Sequence, residues 1–333
     1  MTLATGGSFM SDRTDTLGRR TRLSPSPTGK RVSPTERDLR WFAALAEHGP
    51  LPSSFLLAFG GDRHRSEKRA RERLTDLFHE DNTPHAGTYL ARPAQQFRTI
   101  DSRYNQLVYD LTPASTVALM EAGMANHRQR SGPWLHNHMV ACVTASIELA
   151  CLTLPNIRYI PQSTILSRAN AELRWTTNIA DPSTGATFTK DLLPDAVFGL
   201  EYLTDQGTRY RFFAVEADRA TEPATSSNFQ RKSFERHLLQ YTAYLEGGGY
   251  RQHLNLTAPM LVLNVTTSRE RVERLLSYTR KFFPDGNNYQ LFTAWDAFGV
   301  VWTPPDPNPA LLTADWRTAT GTFRPGELQE AAG

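Results

Sequence analysis

Only two cysteines occur in the 333 residues, Cys142 and Cys151, and their spacing suits neither a zinc knuckle nor a local disulfide. Long apolar runs are missing as well. No stretch nears the ~18 consecutive apolar residues of a membrane span. The opening MTLATGGSFMSDRTD holds no apolar core of signal-peptide length. The expectation is a reduced, cytoplasmic protein with no membrane partner. A Gly-rich phosphate loop is absent too, because Gly247-Gly248-Gly249 follows a helix pattern and no Lys-Ser or Lys-Thr pair comes after it. No nucleophile motif of a serine or cysteine hydrolase is present. Net charge is small, at +3, but it is unevenly spread. Residues 1–133 carry 19 basic against 14 acidic residues, and the remainder 18 against 20. A basic front half facing a polyanion is one reading of that imbalance.

What is present is ordinary globular material: 39% hydrophobic and 21% charged residues, in a length comfortable for two domains. Residues 1–32, with GRRTRLSPSPTGKR, have almost no apolar periodicity and read as a disordered basic tail. Order is expected to begin at Ser33-Pro34-Thr35-Glu36, with Ser33 capping a helix and Glu36 reaching back to it. Leu39, Phe42, Ala43 and Ala46 then mark one apolar face, and Gly49-Pro50 ends the helix. A short helix spans Ser53 to Phe59, and a third, RSEKRARERLTDLFH, runs from about Arg65 to His79. Strand character follows at Thr88–Ala91 and Gln106–Leu111, then a helix from Pro113 to Ala122. Three helices followed by a β-hairpin is the layout of a winged helix-turn-helix, expected over residues 33–130.

Ala70, Leu74, Leu77 and Phe78 form the buried stripe of the third helix. Arg65, Lys68, Arg69 and Glu72 point the other way, with Arg71 and Arg73 on the flanks. One reading is a solvated face whose arginines pair with Glu67, Glu72 and Asp76. The favoured reading is contact with double-stranded DNA through Arg65, Lys68, Arg69, Arg71 and Arg73, because this helix is the one the layout presents to a major groove.

Ser131-Gly132-Pro133 reads as a domain break. Beyond it an apolar helix is expected over Leu135–Leu154, and strands over Arg158–Leu166, Leu192–Leu200 and Arg209–Asp218. A helix over Ser227–Leu245, a strand over Met260–Val265, a helix over Arg269–Phe283 and a strand over Tyr289–Trp295 complete residues 134–300. The order predicts a mixed sheet flanked by helices, an α+β fold overall. Residues 304–333 read as a loose Pro-rich tail.

The richest chemistry lies in LLPDAVFGL and RYRFFAVEADRATEP. Asp195 follows Pro194 at the start of one strand. Glu216 and Asp218 sit two apart near the end of the next, so they leave the same face. If these strands pair antiparallel across Asp205-Gln206-Gly207, the three carboxylates converge. Hard divalent cations favour such oxygen donors, which makes Mg²⁺, or Mn²⁺, held by Asp195 and Glu216 the expected cofactor. His136 and His138 are two apart on a helix, face different ways, and are not expected to chelate one metal.

The Pro-Asp, Glu-x-Asp pattern resembles the PD-(D/E)XK nuclease superfamily, and Gln240 with Tyr244 resembles the Gln-x-x-x-Tyr motif of its RecB-like members. That superfamily carries Lys where Asp218 stands. Neither Arg219 nor Lys232 points suitably to replace it. Taken with LVYDLTPASTVALMEAG, HMVACVTASIELA and Glu216-x-Asp218-Arg219 before Thr221-Glu222, the chain resembles the replication-relaxation family. The resemblance covers residues 34 to about 300. It implies a winged helix joined to a restriction-endonuclease-like domain, DNA binding in plasmid replication or conjugative transfer, and plasmid replication or transfer proteins as partners. Under the enzyme reading the resemblance implies catalytic roles for Asp195, Glu216, Asp218, Gln240 and Tyr244 in Mg²⁺-dependent nicking. The alternative is a non-catalytic regulator whose nuclease fold has decayed.

Overall fold

The computed structural model describes residues 21–61, 66–98, 104–124, 132–219, 223, 232–287, 289–299 and 302–328. The first helix, α1 (Glu36–His48), starts two residues later than the Ser33 cap implies. Thr35 is the cap and Asp38 closes the box. Asp38 wins over Glu36 because its short carboxylate accepts from both the amide and the hydroxyl of Thr35, each at 2.8 Å. The α1 face formed by Trp41, Phe42 and Leu45 is buried. After it come β1 (Leu51–Pro52), α2 (Ser53–Gly60) and α3 (Glu67–His79), the last capped by Ser66. Then follow β2 (Leu90–Ala91), β3 (Val108–Leu111) and α4 (Pro113–Glu121). The three strands form one antiparallel sheet in the order β1-β3-β2, with Leu51 opposite Tyr109 and Leu90 opposite Leu111.

Residues 21–32, expected as disordered tail, are ordered along α3; residues 1–20 lie outside the described residues. Val32 is 1% exposed, and its amide donates to the Asn82 carbonyl at 3.0 Å. The Ser26 amide reaches His79 Nδ1 at 3.0 Å, the Thr28 amide reaches Glu80 at 2.9 Å, and Lys30 pairs with Asp76. The arm is held by polar groups one by one. That is why no hydrophobic period betrayed it.

The helix α5 (Trp134–Cys151) is buried along most of its length. It packs on α1, α2 and β1 on one side and on the large sheet on the other. Apolar side chains of both halves consequently form one continuous cluster, from Trp41 through Val143 to Phe198 and Trp316. The expected strand over 158–166 is in fact β4 (Ile157–Ile160) followed by α6 (Gln162–Ala169). Pro161 ends the strand and serves as the helix's N-cap residue. A separate hairpin, β5 (Trp175–Ala180) with β6 (Thr187–Leu192), escaped the sequence reading. Its alternating pattern is carried by Thr, Asn and Lys, with little apolar contrast.

Next come β7 (Ala196–Thr204) and β8 (Gly207–Asp218), paired antiparallel from Ala196–Val215 to Thr204–Gly207. Gly207 takes φ +112°, which a side chain there would resist. The chain continues through α7 (Phe234–Glu246), α8 (Gly249–Leu254), β9 (Met260–Thr266), α9 (Arg269–Phe282) and β10 (Gln290–Ala294). Both β9 and β10 run parallel to their predecessors in the sheet.

The Pro-rich end is not loose over residues 304–328, and residues 329–333 lie outside the described residues. It contributes α10 (Ala310–Thr313), β11 (Trp316–Arg317) and β12 (Thr322–Phe323), which complete a seven-stranded mixed sheet ordered β12-β11-β10-β9-β8-β7-β4. Trp316 is 1% exposed and its indole donates to the Leu311 carbonyl at 2.9 Å. The Tyr202 hydroxyl donates to the Pro325 carbonyl at 2.6 Å. The fold is thus mixed α+β, with helices flanking a large sheet. Trp316→Ala is expected to destabilise the protein by about 3–5 kcal/mol, read from the urea midpoint. A midpoint like that of the unaltered chain would return this segment to the status of a tail.

Candidate functional site

Helix α3 carries the basic residues singled out from sequence, and the structure divides them. Lys68, Arg69 and Arg71 are exposed. Arg69 meets Glu72 at 3.1 Å and Arg71 meets Glu67 at 2.5 Å, each within one turn of the helix. Exposed pairs of that kind contribute only about 0.3–0.5 kcal/mol, so a phosphate can displace the carboxylate. Arg73 is different. Its guanidinium donates to Asp38 at 2.6 Å and to the Ser33 carbonyl at 2.6 Å, tying α3 to the start of α1. Asp38 is fully buried, so Arg73 braces the fold, unlike the exposed Lys68, Arg69 and Arg71. Arg65 lies outside the described residues.

A groove of about 1080 Å³ opens between α3 and the segment entering β3. Lys68, Arg71 and Thr75 line it from the helix, with Arg22, Arg92 and Tyr104 across from them. Tyr104 is 75% exposed at the rim. Arg92 lies with its guanidinium 3.8 Å from the Phe78 ring centroid and is buried enough to lower its pKa. Arg22, Arg92 and Tyr104 were missed in the sequence. Only Arg22 had a signal there, as part of the GRRTR run.

The second cluster forms where β7 begins and β8 ends. Asp195 precedes β7, and pairing of the two strands sets it beside Glu216. The Ala217 amide donates to Asp195 Oδ2 at 2.8 Å, and His136 Nε2 from the first turn of α5 stands 2.8 Å from Oδ1. Glu216 is mostly buried and accepts the hydroxyl of Tyr241; His237 Nδ1 stands 3.6 Å from its other oxygen. Asp218 pairs with Arg271 Nε at 2.7 Å. The β7–β8 register puts Asp195, Glu216 and Asp218 on one face of the sheet, each with protein partners of its own.

Gln240 and Tyr244 are not there. The Gln240 amide donates to the Asp191 carbonyl at 3.0 Å and to Thr177 at 3.3 Å, clamping the β5–β6 hairpin. The Tyr244 hydroxyl meets His253 Nδ1 at 2.9 Å beside Trp175. On an α-helix one residue is a turn of about 100°, and the face toward the carboxylates is that of His237 and Tyr241. Their i, i+4 spacing was legible in the sequence, but Tyr241 reads there as an ordinary apolar position of the helix. Arg271 had no signal, because the parallel strand β9 brings it from 53 residues away.

Burial pulls the His237 imidazole down to about 4, against the opposing pull of Asp195 and Asp218. Burial first, then Glu216, push the Tyr241 phenol well above its usual value. His136 and His138 do face different ways. The latter stacks on Trp134 and meets the Pro50 carbonyl at 2.9 Å.

Full burial brings His138 down to about 4 from 6.5. Unfolded chain then binds a proton that the folded protein refuses. The contribution of neutral His138 is complete above the unfolded value and is lost as pH falls toward the folded one, by up to about 1.4 kcal/mol per pH unit. Stability measured across that window should fall steeply, and His138→Asn should flatten the slope; an unchanged slope would exclude His138 as its source.

The donors as arranged do not fit a magnesium ion. Asp218 is held by a guanidinium, whose fixed charge opposes a cation beside it. Among the described residues no group of three or more His, Cys, Asp and Glu side chains is placed to hold a metal ion. No helix among them is long and apolar enough to cross a membrane.

No curated protein and no solved structure matches the chain significantly. The replication-relaxation family matches residues 42–259, a span from α1 to the start of β9 that includes α3, Asp195, Glu216 and Asp218. The chain belongs to the replication-relaxation family.

Proposed function

We propose that this protein binds duplex DNA in the replication or mobilisation of plasmids or other mobile elements, and does so as a non-catalytic regulator or accessory factor. In this reading α1, β1, α2, α3, β2 and β3 make up a winged helix. Helix α3 enters the major groove, and the β2–β3 hairpin lies beside it. The observation that carries the reading is the exposed basic start of α3, Lys68, Arg69 and Arg71, two of which line an open groove. Family membership supports the setting in replication or transfer. It also supports a cytoplasmic location beside plasmid replication proteins. Gel shift of a labelled duplex in EDTA tests the proposal: a salt-dependent shift supports it, and no shift at low salt on any plasmid fragment contradicts it.

A second reading, metal-dependent nicking, is favoured by the shared sheet face of Asp195, Glu216 and Asp218. It requires Mg²⁺ to displace the partners these carboxylates now have. Cleavage that needs metal and disappears in Glu216→Gln would establish it in place of the first.

A further inference from the structure

We infer that Arg271 is the resident cation of the carboxylate cluster, occupying the electrostatic place of a divalent ion, so that the cluster is complete without metal. The Glu216-x-Asp218 pattern places two carboxylates on one face of β8, and Asp195, just before β7, adds a third on that face. Three such groups together repel one another unless a positive charge or donors compensate them.

Each compensation is visible. Arg271 is only 6% exposed, and its Nε lies 2.7 Å from Asp218 Oδ2, so its charge acts where water screens it little. It also stands on the first turn of α9, whose Ser268 cap hydroxyl accepts the Arg271 amide at 3.2 Å, fixing the backbone from which the guanidinium projects. Asp195 is satisfied by the Ala217 amide and His136, and Glu216 by Tyr241 with His237 beside it.

Mg²⁺ demands six ligands in a near-ideal octahedron at about 2.0–2.1 Å. To bind here it would have to settle beside a guanidinium that never loses its charge. Arginine also answers what the Glu-x-Asp sequence leaves open: the positive charge is supplied from α9, not from the strand.

The test uses the full chain and Mn²⁺ alone, followed by the decline of its free electron-spin signal, so it does not depend on DNA binding. Unaltered protein is expected to show no saturable site up to millimolar Mn²⁺. Arg271→Gln is expected to gain one, saturating roughly tenfold or more below that millimolar limit, and to melt at higher temperature when Mn²⁺ is added. Asp195→Asn in that background should remove it. A saturable site in the unaltered protein that vanishes in Glu216→Gln overturns the inference. So does an Arg271→Gln protein that folds and remains blind to Mn²⁺. If Arg271→Gln fails to fold, Arg271→Lys carries the test, since lysine retains the cation. That variant should fold and ignore Mn²⁺, and a Lys variant that binds the ion would overturn the proposal.

Discussion

Replacing Lys68, Arg69 and Arg71 together by glutamate is expected to weaken duplex-DNA binding by about a hundredfold or more and to flatten its salt dependence. The three side chains are exposed on α3, and their present partners, Glu67 and Glu72, belong to the same helix. Such pairs are cheap to break, whereas a phosphate offers each cation a stronger acceptor. Each phosphate that no longer meets a cation lowers the slope of log K against log salt by about 0.9, so three of them correspond to a drop of nearly three. The helix should survive the change, because its buried stripe of Ala70, Leu74, Leu77 and Phe78 is untouched. Circular dichroism checks that point. Unchanged affinity with intact helix would remove α3 from the DNA interface.

A large effect on stability is expected at Asp38. Its carboxylate is fully buried, caps α1 through Thr35, and holds the Arg73 guanidinium. Asp38→Ala leaves a cation without its partner and should cost about 3–5 kcal/mol. Thr35→Ala removes only a cap bond and should cost about 1 kcal/mol. Arg73→Met separates structure from binding. It is expected to lower the urea midpoint while leaving DNA affinity, measured on the folded fraction, within about twofold of the unaltered protein. An affinity loss for Arg73→Met matching that of the α3 triple variant would mean that Arg73 touches DNA after all.

Legibility from sequence followed the strength of periodic contrast. The stripes of α1 and α3 stood out because one face is buried and the other is not, and the apolar runs of β8 and β9 because both of their faces are buried. The two-residue strands β11 and β12 carry no period, and proline obscured a segment that in fact contributes Leu312 and Trp316 to the core. In the carboxylate cluster, Asp195, Glu216 and Asp218 were readable because one hairpin fixes their register. The partners were not. Arg271 arrives through a parallel crossover, and His136 from the first turn of α5, 59 residues before Asp195. Gln240 and Tyr244 were misplaced because a motif spacing gives the turn of the helix but not which face meets the sheet. That choice was made by packing of the β5–β6 hairpin on α7.

The most direct measurement pairs a nicking assay on supercoiled plasmid, in Mg²⁺ and then Mn²⁺, with a gel shift of the same plasmid's fragments in EDTA. The account predicts intact supercoiled plasmid with either metal and a shift that persists without metal and falls with salt. Nicked plasmid that requires the metal and disappears in Glu216→Gln would contradict it.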